Sequence, residues 1–385
     1  MGPFDLLELV QRPALDSIVE IAREERPDAI VIAGDLYDRA VPSEAAMQAF
    51  EDSVTQLRAI APVIAIAGNH DGAGRVSHFG SVLAGAGIHI SAADFGRVPH
   101  VALHDGHGEV RFHLMPFATP DEVRQAFKEG AELDAADGGA APLSSHELAT
   151  VRRLATVDLC PKARHVLVGH LFTQSGKTAH TSDSERDISV GGSSLVSHSH
   201  FERFSYVALG HLHKPHDVVP GRIRYSGSIG RFSFSEESHG KSVSVVEIHA
   251  DGSTSIREVI LPHRHGMRTI RGLFAEVLRA APADPQRSSA FVRVVLSDTT
   301  PQYEAYRRLS EHYRYLIEVS YENREVGEGG PVPAADRPER QDPFEMVKQY
   351  CRDQQGGKGL SRDAESLAQK LMDEARGSSR EEVES

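Results

Sequence analysis

Ile30 to Asp38 reads IVIAGDLYD, and Val63 to Asp71 repeats its pattern as VIAIAGNHD. Each begins with a short, partly β-branched apolar run, stops at glycine, and then delivers polar side chains of the kind that bind cations. Runs this short and this apolar read as buried parallel strands rather than helices. Val166 to His170 (VLVGH) and Tyr206 to His213 (YVALGHLH) follow the same rule. Four strand ends therefore present, in order, Asp, Asn-His, His and His-x-His. In an open α/β sheet chemistry collects beyond the carboxyl ends of the strands, and these ends supply the donors of a metal site.

The elements between them fit such a sheet. Leu6, Leu7, Val10, Ala14, Ile18, Ile21 and Ala22 recur at helical spacing, with Pro13 starting or kinking the helix. Ser43 caps a second helix running to about Arg58, and the opening order α-β-α-β favours parallel pairing through right-handed crossovers. Helices are expected over 75–86 and 148–155, with strands near 87–90, 99–103, 109–115, 205–209, 222–226 and 242–248. The alternation in SVSVVEI predicts a more antiparallel region. Residues 1–262 form the main domain on this reading. Residues 263–326 form a small α+β unit, 327–342 a linker, 343–376 a helical segment and 377–385 a frayed tail.

Composition narrows the function. Only Cys160 and Cys351 occur among 385 residues, so there is no disulfide framework and a reducing, cytoplasmic setting is expected. No apolar run reaches the length of a membrane span, and Met1 to Val10 lacks the pattern of a signal peptide. The net charge of −13 makes no global electrostatic case for nucleic acid, so binding to phosphates would rest on local basic groups, cations or a partner.

A mixed set of carboxylate, amide oxygen and imidazoles suits a transition metal better than calcium or magnesium. Asp35 can bridge two ions about 3.5–4 Å apart, which would activate water and stabilise phosphoryl displacement. A nearby histidine outside the ligand set can protonate the departing oxygen.

Through GDLYD at 34–38, GNHD at 68–71, VGH at 168–170 and GHLH at 210–213, the chain resembles the calcineurin-like metallophosphoesterases. DRAVPS at 38–43, SDSERDISVGG at 182–192 and YSGSIGRFSFSE at 225–236 narrow the resemblance to SbcD-type nuclease subunits. The resemblance implies a four-layer αββα domain, a small capping domain and a C-terminal helical tail. It implies a manganese-dependent DNA nuclease, 3′→5′ on duplex ends and endonucleolytic on single strands or hairpins. It further implies a homodimer working with an SbcC-type coiled-coil ATPase in the cytoplasm, associated with the nucleoid. Carried over by motif, Asp35 bridges the ions, and Asn69, His170 and His211 complete one shell. His213 binds the other ion, His70 is the acid, Asp71 orients His70 and Asp38 lines the site. Arg39, Arg75 and Arg186 are candidate phosphate contacts, and the apolar faces at 344–351 and 360–371 are candidate ATPase contacts.

One element of the family pattern is missing. It opens with a strand ending in Asp-x-His, two further ligands, and no such motif stands here. Two explanations compete, a natural start upstream of Met1, which is favoured, and a degenerate, weakly active subunit; either way weakened two-metal catalysis and lower stability are expected in this chain. Two competing readings are a non-catalytic DNA-end-binding subunit and a phosphodiesterase acting on small nucleotides.

Overall fold

The computed structural model describes residues 4–78, 80–129, 146–174, 194–322 and 364–365. Two compact units divide the chain, Met1–Asn323 and Arg324–Ser385. Arg186, the linker at 327–342, the tail at 377–385 and the apolar faces at 344–351 and 360–371 lie outside the described residues, except that 364–365 are helical.

A π-helical turn at Leu7–Gln11 leads into α1 (Arg12–Glu25), with Pro13 in the first turn, where its missing N–H costs nothing. Arg26 steps into the left-handed region, donates back to Ala22 O and ends the helix. In α2 (Glu44–Arg58) the Ser43 hydroxyl accepts from Ala46 N at 3.2 Å, the expected cap. The helix expected over 75–86 divides into two short pieces, Ala73–Val76 and Gly80–Gly85.

Strands β1 (Ile30–Ala33), β2 (Val63–Ile66) and β3 (Ile88–Ser91) pair in parallel as β1-β2-β3. The second sheet has six strands. They are β4 (His100–Asp105), β5 (Gly108–Met115), β6 (Arg164–His170), β9 (Tyr206–Gly210), β10 (His216–Val219) and β11 (Ile223–Tyr225), in the order β10-β11-β9-β6-β5-β4. Between β6 and β9 lie β7 (Phe172–Gln174) and β8 (Leu195–Ser197), which pair with each other. Only the outer strands β4 and β10 run antiparallel to their neighbours.

The period-two alternation builds four layers. Ile64 and Ile66 of β2 face Phe112, Leu114, Val166 and Val168 between the sheets. Val63 faces the other way, against Val19 and Ala22 of α1 and Val54 and Leu57 of α2. Beyond the second sheet, Met115, Leu167 and Leu209 pack on Leu154, Phe201 and Phe204. This is the αββα arrangement that the family resemblance implies.

Antiparallel strands β12 (Ser242–Ile248) and β13 (Thr254–Ile260) form a separate hairpin, whose Val246, Ile248 and Ile256 rest on the inter-sheet core beside Val31 and Ala33. Among the described residues β1 pairs only with β2, and all four of its residues are half-buried where those of β2 are fully buried.

In the C-terminal part of this unit, β14 (Gly266–Gly272), β15 (Ala290–Leu296) and β16 (Tyr315–Tyr321) form an all-parallel sheet. Helices at Phe274–Ala280 and Ala305–Ser310 cross over between them. The small unit expected as α+β is thus a βαβαβ, with its own apolar core centred on Val292, Val294 and Leu309.

Candidate metal centre

The carboxyl ends of β1, β2, β6 and β9 come together, and glycine is what lets them do so. A Cβ on Gly210 would overlap the carbonyl oxygen of Ala33, and one on Gly68 would overlap the Asp35 carboxylate. Asp35 itself adopts φ 50° and His211 φ 102°. The second value is strained for a non-glycine residue, at a cost on the order of 1–3 kcal/mol, and such strain persists where the surroundings over-determine the conformation.

Asp71 ties the loops. Its carboxylate accepts from Gly68 N at 2.8 Å and from Leu36 N and Tyr37 N at 3.0 Å. Burial pushes its pKa up, and those three N–H groups pull it back toward the ionised form. His70 donates its backbone N–H to Asp35 Oδ1 at 3.1 Å, while its ring Nδ1 lies 3.0 Å from the Asp38 carbonyl. The expected partnership between Asp71 and the His70 ring is therefore replaced. The Asp38 carbonyl orients the ring, and Asp71 holds the backbone that carries it.

At the centre, His170 is almost fully buried, with Nδ1 2.9 Å from Ala33 O. A carbonyl only accepts, so Nδ1 carries a proton and Nε2 is the nitrogen turned into the site. That nitrogen faces Asn69 Oδ1 at 2.9 Å and Asp35 Oδ2 at 3.5 Å. His211 Nδ1 lies 3.3 Å from the same amide oxygen, with its ring edge-on to His170 at 5.4 Å. Burial and then the neighbouring His170 lower the pKa of His211 to about 3, so that ring is neutral near pH 7. By the same rule His211 Nδ1 donates to the Asn69 oxygen, so a carboxylate, an amide oxygen and two imidazoles converge on one place. Such a set of oxygen and imidazole donors fits a divalent transition metal. Among the described residues no three His, Cys, Asp or Glu side chains are grouped so as to hold a metal ion. The convergence depends on the Asn69 amide, which sequence reading singled out with its neighbours.

His213 is placed differently. Its Nδ1 lies 3.0 Å from Oε1 of Glu236, a carboxylate with no exposed surface. Sequence reading quoted Glu236 inside YSGSIGRFSFSE without assigning it a role. Tyr225, which opens that stretch, is also fully buried. It donates to Leu171 O and accepts from Thr173 N, both at 2.8 Å, pinning the chain just beyond His170. Phe117 sets its ring at 90° to His170, 6.4 Å between centroids, and is a further neighbour that the motifs did not announce. Of the expected phosphate contacts, Arg39 is exposed and paired with Asp38 at 3.0 Å, and Arg75 is exposed on the short helix Ala73–Val76.

Residues 8–215, more than half of the chain, match the sequence model of the calcineurin-like phosphoesterases, and the chain belongs to that family. Membership makes it a metal-dependent phosphoesterase, of a family that typically binds divalent metal ions. Among the described residues no helix is long and apolar enough to cross a membrane.

Proposed function

We propose that this calcineurin-like phosphoesterase is a DNA nuclease of the SbcD type. It hydrolyses phosphodiester bonds at the cluster of Asp35, Asn69, His170 and His211, with Mn2+ as the preferred cation. The observation that carries the catalytic part is the convergence of His170 Nε2 with the Asn69 amide oxygen and the Asp35 carboxylate. Support for DNA as substrate comes from DRAVPS at 38–43, SDSERDISVGG at 182–192 and YSGSIGRFSFSE at 225–236. Such a subunit would work as a homodimer with an SbcC-type coiled-coil ATPase.

When bound, the cation supplies Lewis acidity and a water acidified toward neutrality. The chain's own groups do the rest. Asp35, Asn69, His170 and His211 are its holders, with His213 the candidate for a second ion. The Nδ1 of His70 is fixed on the Asp38 carbonyl, which leaves Nε2 as the nitrogen through which a doubly protonated ring would deliver a proton to the leaving oxygen. Asp71 keeps the Gly34–Tyr37 and Gly68–Asp71 segments in register, so that these groups meet.

Release of nucleotides from linear duplex DNA, and turnover of bis-p-nitrophenyl phosphate, should both require added Mn2+ and both fail in His170→Ala. Turnover of the small diester without attack on DNA would replace the nuclease with a small-substrate phosphodiesterase. Binding of DNA ends with no turnover of either would favour the non-catalytic reading.

A further inference from the structure

Glu236 and Lys241 form an ion pair with no exposed side-chain surface, 2.5 Å between Nζ and Oε2. Burying both charges costs several kcal/mol per ion, and apolar residues of the same volume are often as stable or more so. Stability alone is a weak reason for such a pair, so its neighbours are informative. Lys241 Nζ donates to Ser228 Oγ at 2.7 Å and to the carbonyl oxygen of His213 at 2.9 Å. Ser228 N donates to that same carbonyl at 3.1 Å. The other carboxylate oxygen of Glu236 faces His213 Nδ1 at 3.0 Å and accepts from Phe232 N at 3.4 Å. His213 is thus held at its backbone by the lysine and at its ring by the glutamate. The holders come from separate places: the 3-10 turn Phe234–Glu236, the residue before β12, and the segment after β11.

We infer that Glu236, paired with Lys241, is a positioning residue for His213 that holds hydrogen on Nδ1 and so directs Nε2 as the nitrogen for a divalent cation. A carboxylate beside an ammonium only accepts, so the ring nitrogen facing it is the one that carries hydrogen. Carboxylates behind ligating histidines act in this way, and their loss typically weakens metal binding about 10- to 100-fold. The inference rests on the proposed function insofar as His213 is to hold an ion. The tautomer itself is independent of any ion.

The first measurement is nitrogen-15 correlation NMR of the His213 ring in metal-free protein, assigned by comparison with His213→Ala. Protonated Nδ1 is expected, and protonated Nε2 in the wild-type protein would overturn the inference whatever any variant does. The second uses Glu236→Leu combined with Lys241→Met, which removes both charges while keeping volume, so that no lone charge is left buried. Expected are a shift of the tautomer toward mixture and Mn2+ binding roughly 10- to 100-fold weaker by calorimetry. Glu236→Gln with Lys241→Met, which retains an acceptor, should recover most of both. In a His213→Ala background the charge-removing pair should have no further effect on Mn2+ affinity, whereas a merely structural role would weaken binding there as well. An unchanged tautomer and affinity in the charge-removing variant, with His170→Ala still abolishing binding, would overturn the inference and leave the proposed function standing. The expected tautomer shift with no Mn2+ binding by the wild type would uphold Glu236 as holder of the ring and overturn the cation role.

Discussion

Strand β6 carries two histidines five positions apart, and they solve the same chemical problem in opposite ways. His165 lies on the outer face of the six-stranded sheet, where its Nε2 is 2.9 Å from the Cys160 carbonyl and must donate to it. Its Nδ1 faces His113 Nε2 across 2.9 Å, so one proton lies between these two nitrogens. Of the four ring nitrogens only His113 Nδ1 is left buried without a partner. His170 lies on the inner face, and its proton likewise goes to a carbonyl, that of Ala33. Its other nitrogen, however, faces the oxygens of Asn69 and Asp35 instead of a second ring. A relay that ends on a carbonyl is a structural element. A set of oxygen and imidazole donors converging on one place is a receptor for positive charge.

The sharpest way to break this comparison is to remove one histidine from each set. His170→Ala should lower Mn2+-dependent diester hydrolysis on the order of 10³-fold, the scale of losing an ion that activates water. His165→Ala should leave the turnover of folded protein within about threefold, because no outer-face group reaches the reacting atoms. Equal losses in the two variants would erase the distinction.

The loops that create the open set are the next target. Asp71→Asn replaces one acceptor oxygen with a donor facing backbone N–H groups, and should cost on the order of 2–3 kcal/mol in urea unfolding. Loss of Mn2+ binding should accompany it, since Gly68, Leu36 and Tyr37 are the groups released.

The pH dependence of stability should follow the closed set. Burial, then the neighbouring His165, lowers the pKa of His113 to about 3, against about 6.5 in an unfolded chain. Between those values the unfolded state takes up a proton that the folded state refuses. The contribution is therefore full above about pH 6.5 and shrinks as pH falls toward 3, by at most ~1.4 kcal/mol per pH unit. Urea titrations from pH 4.5 to 7 should show a smaller slope in His113→Gln than in the wild type. An identical slope would mean that His113 takes up protons alike in the folded and unfolded chain.

The smallest effect expected is thermal. Mn2+ at roughly 100 times its Kd should add about 2.7 kcal/mol, a shift of a few degrees for a unit this large. His113→Gln should show the same increment and His170→Ala none.

Much of this was legible before any coordinates. IVIAGD, VIAIAGNHD, VLVGH and YVALGHLH each state where a strand ends and which donors follow, because β-branched runs and glycine stops are local signals. Ser43 as a cap was readable for the same reason. The helix at Pro120–Glu129 and the strands β10, β13 and β14 were not read. The first is largely polar and charged, and β13, with the pattern TSIREVI, is half exposed and gains its identity only by pairing with β12. β14 acquires its own from β15, since Gly266 to Gly272 has two glycines and two arginines among seven residues.

The sequence by itself determined the order of the strands' polar ends, the donor types at each, and the glycines that permit close approach. Only the tertiary structure decided the state of each donor. Whether a histidine offers Nδ1 or Nε2 depends on what lies behind the ring, and for His170, His165 and His213 that is Ala33, Cys160 and Glu236. Only one of these three partners is near its histidine in the chain. Proton placement is set by through-space neighbours in a low-dielectric interior, where a mismatched donor or acceptor has no water to turn to.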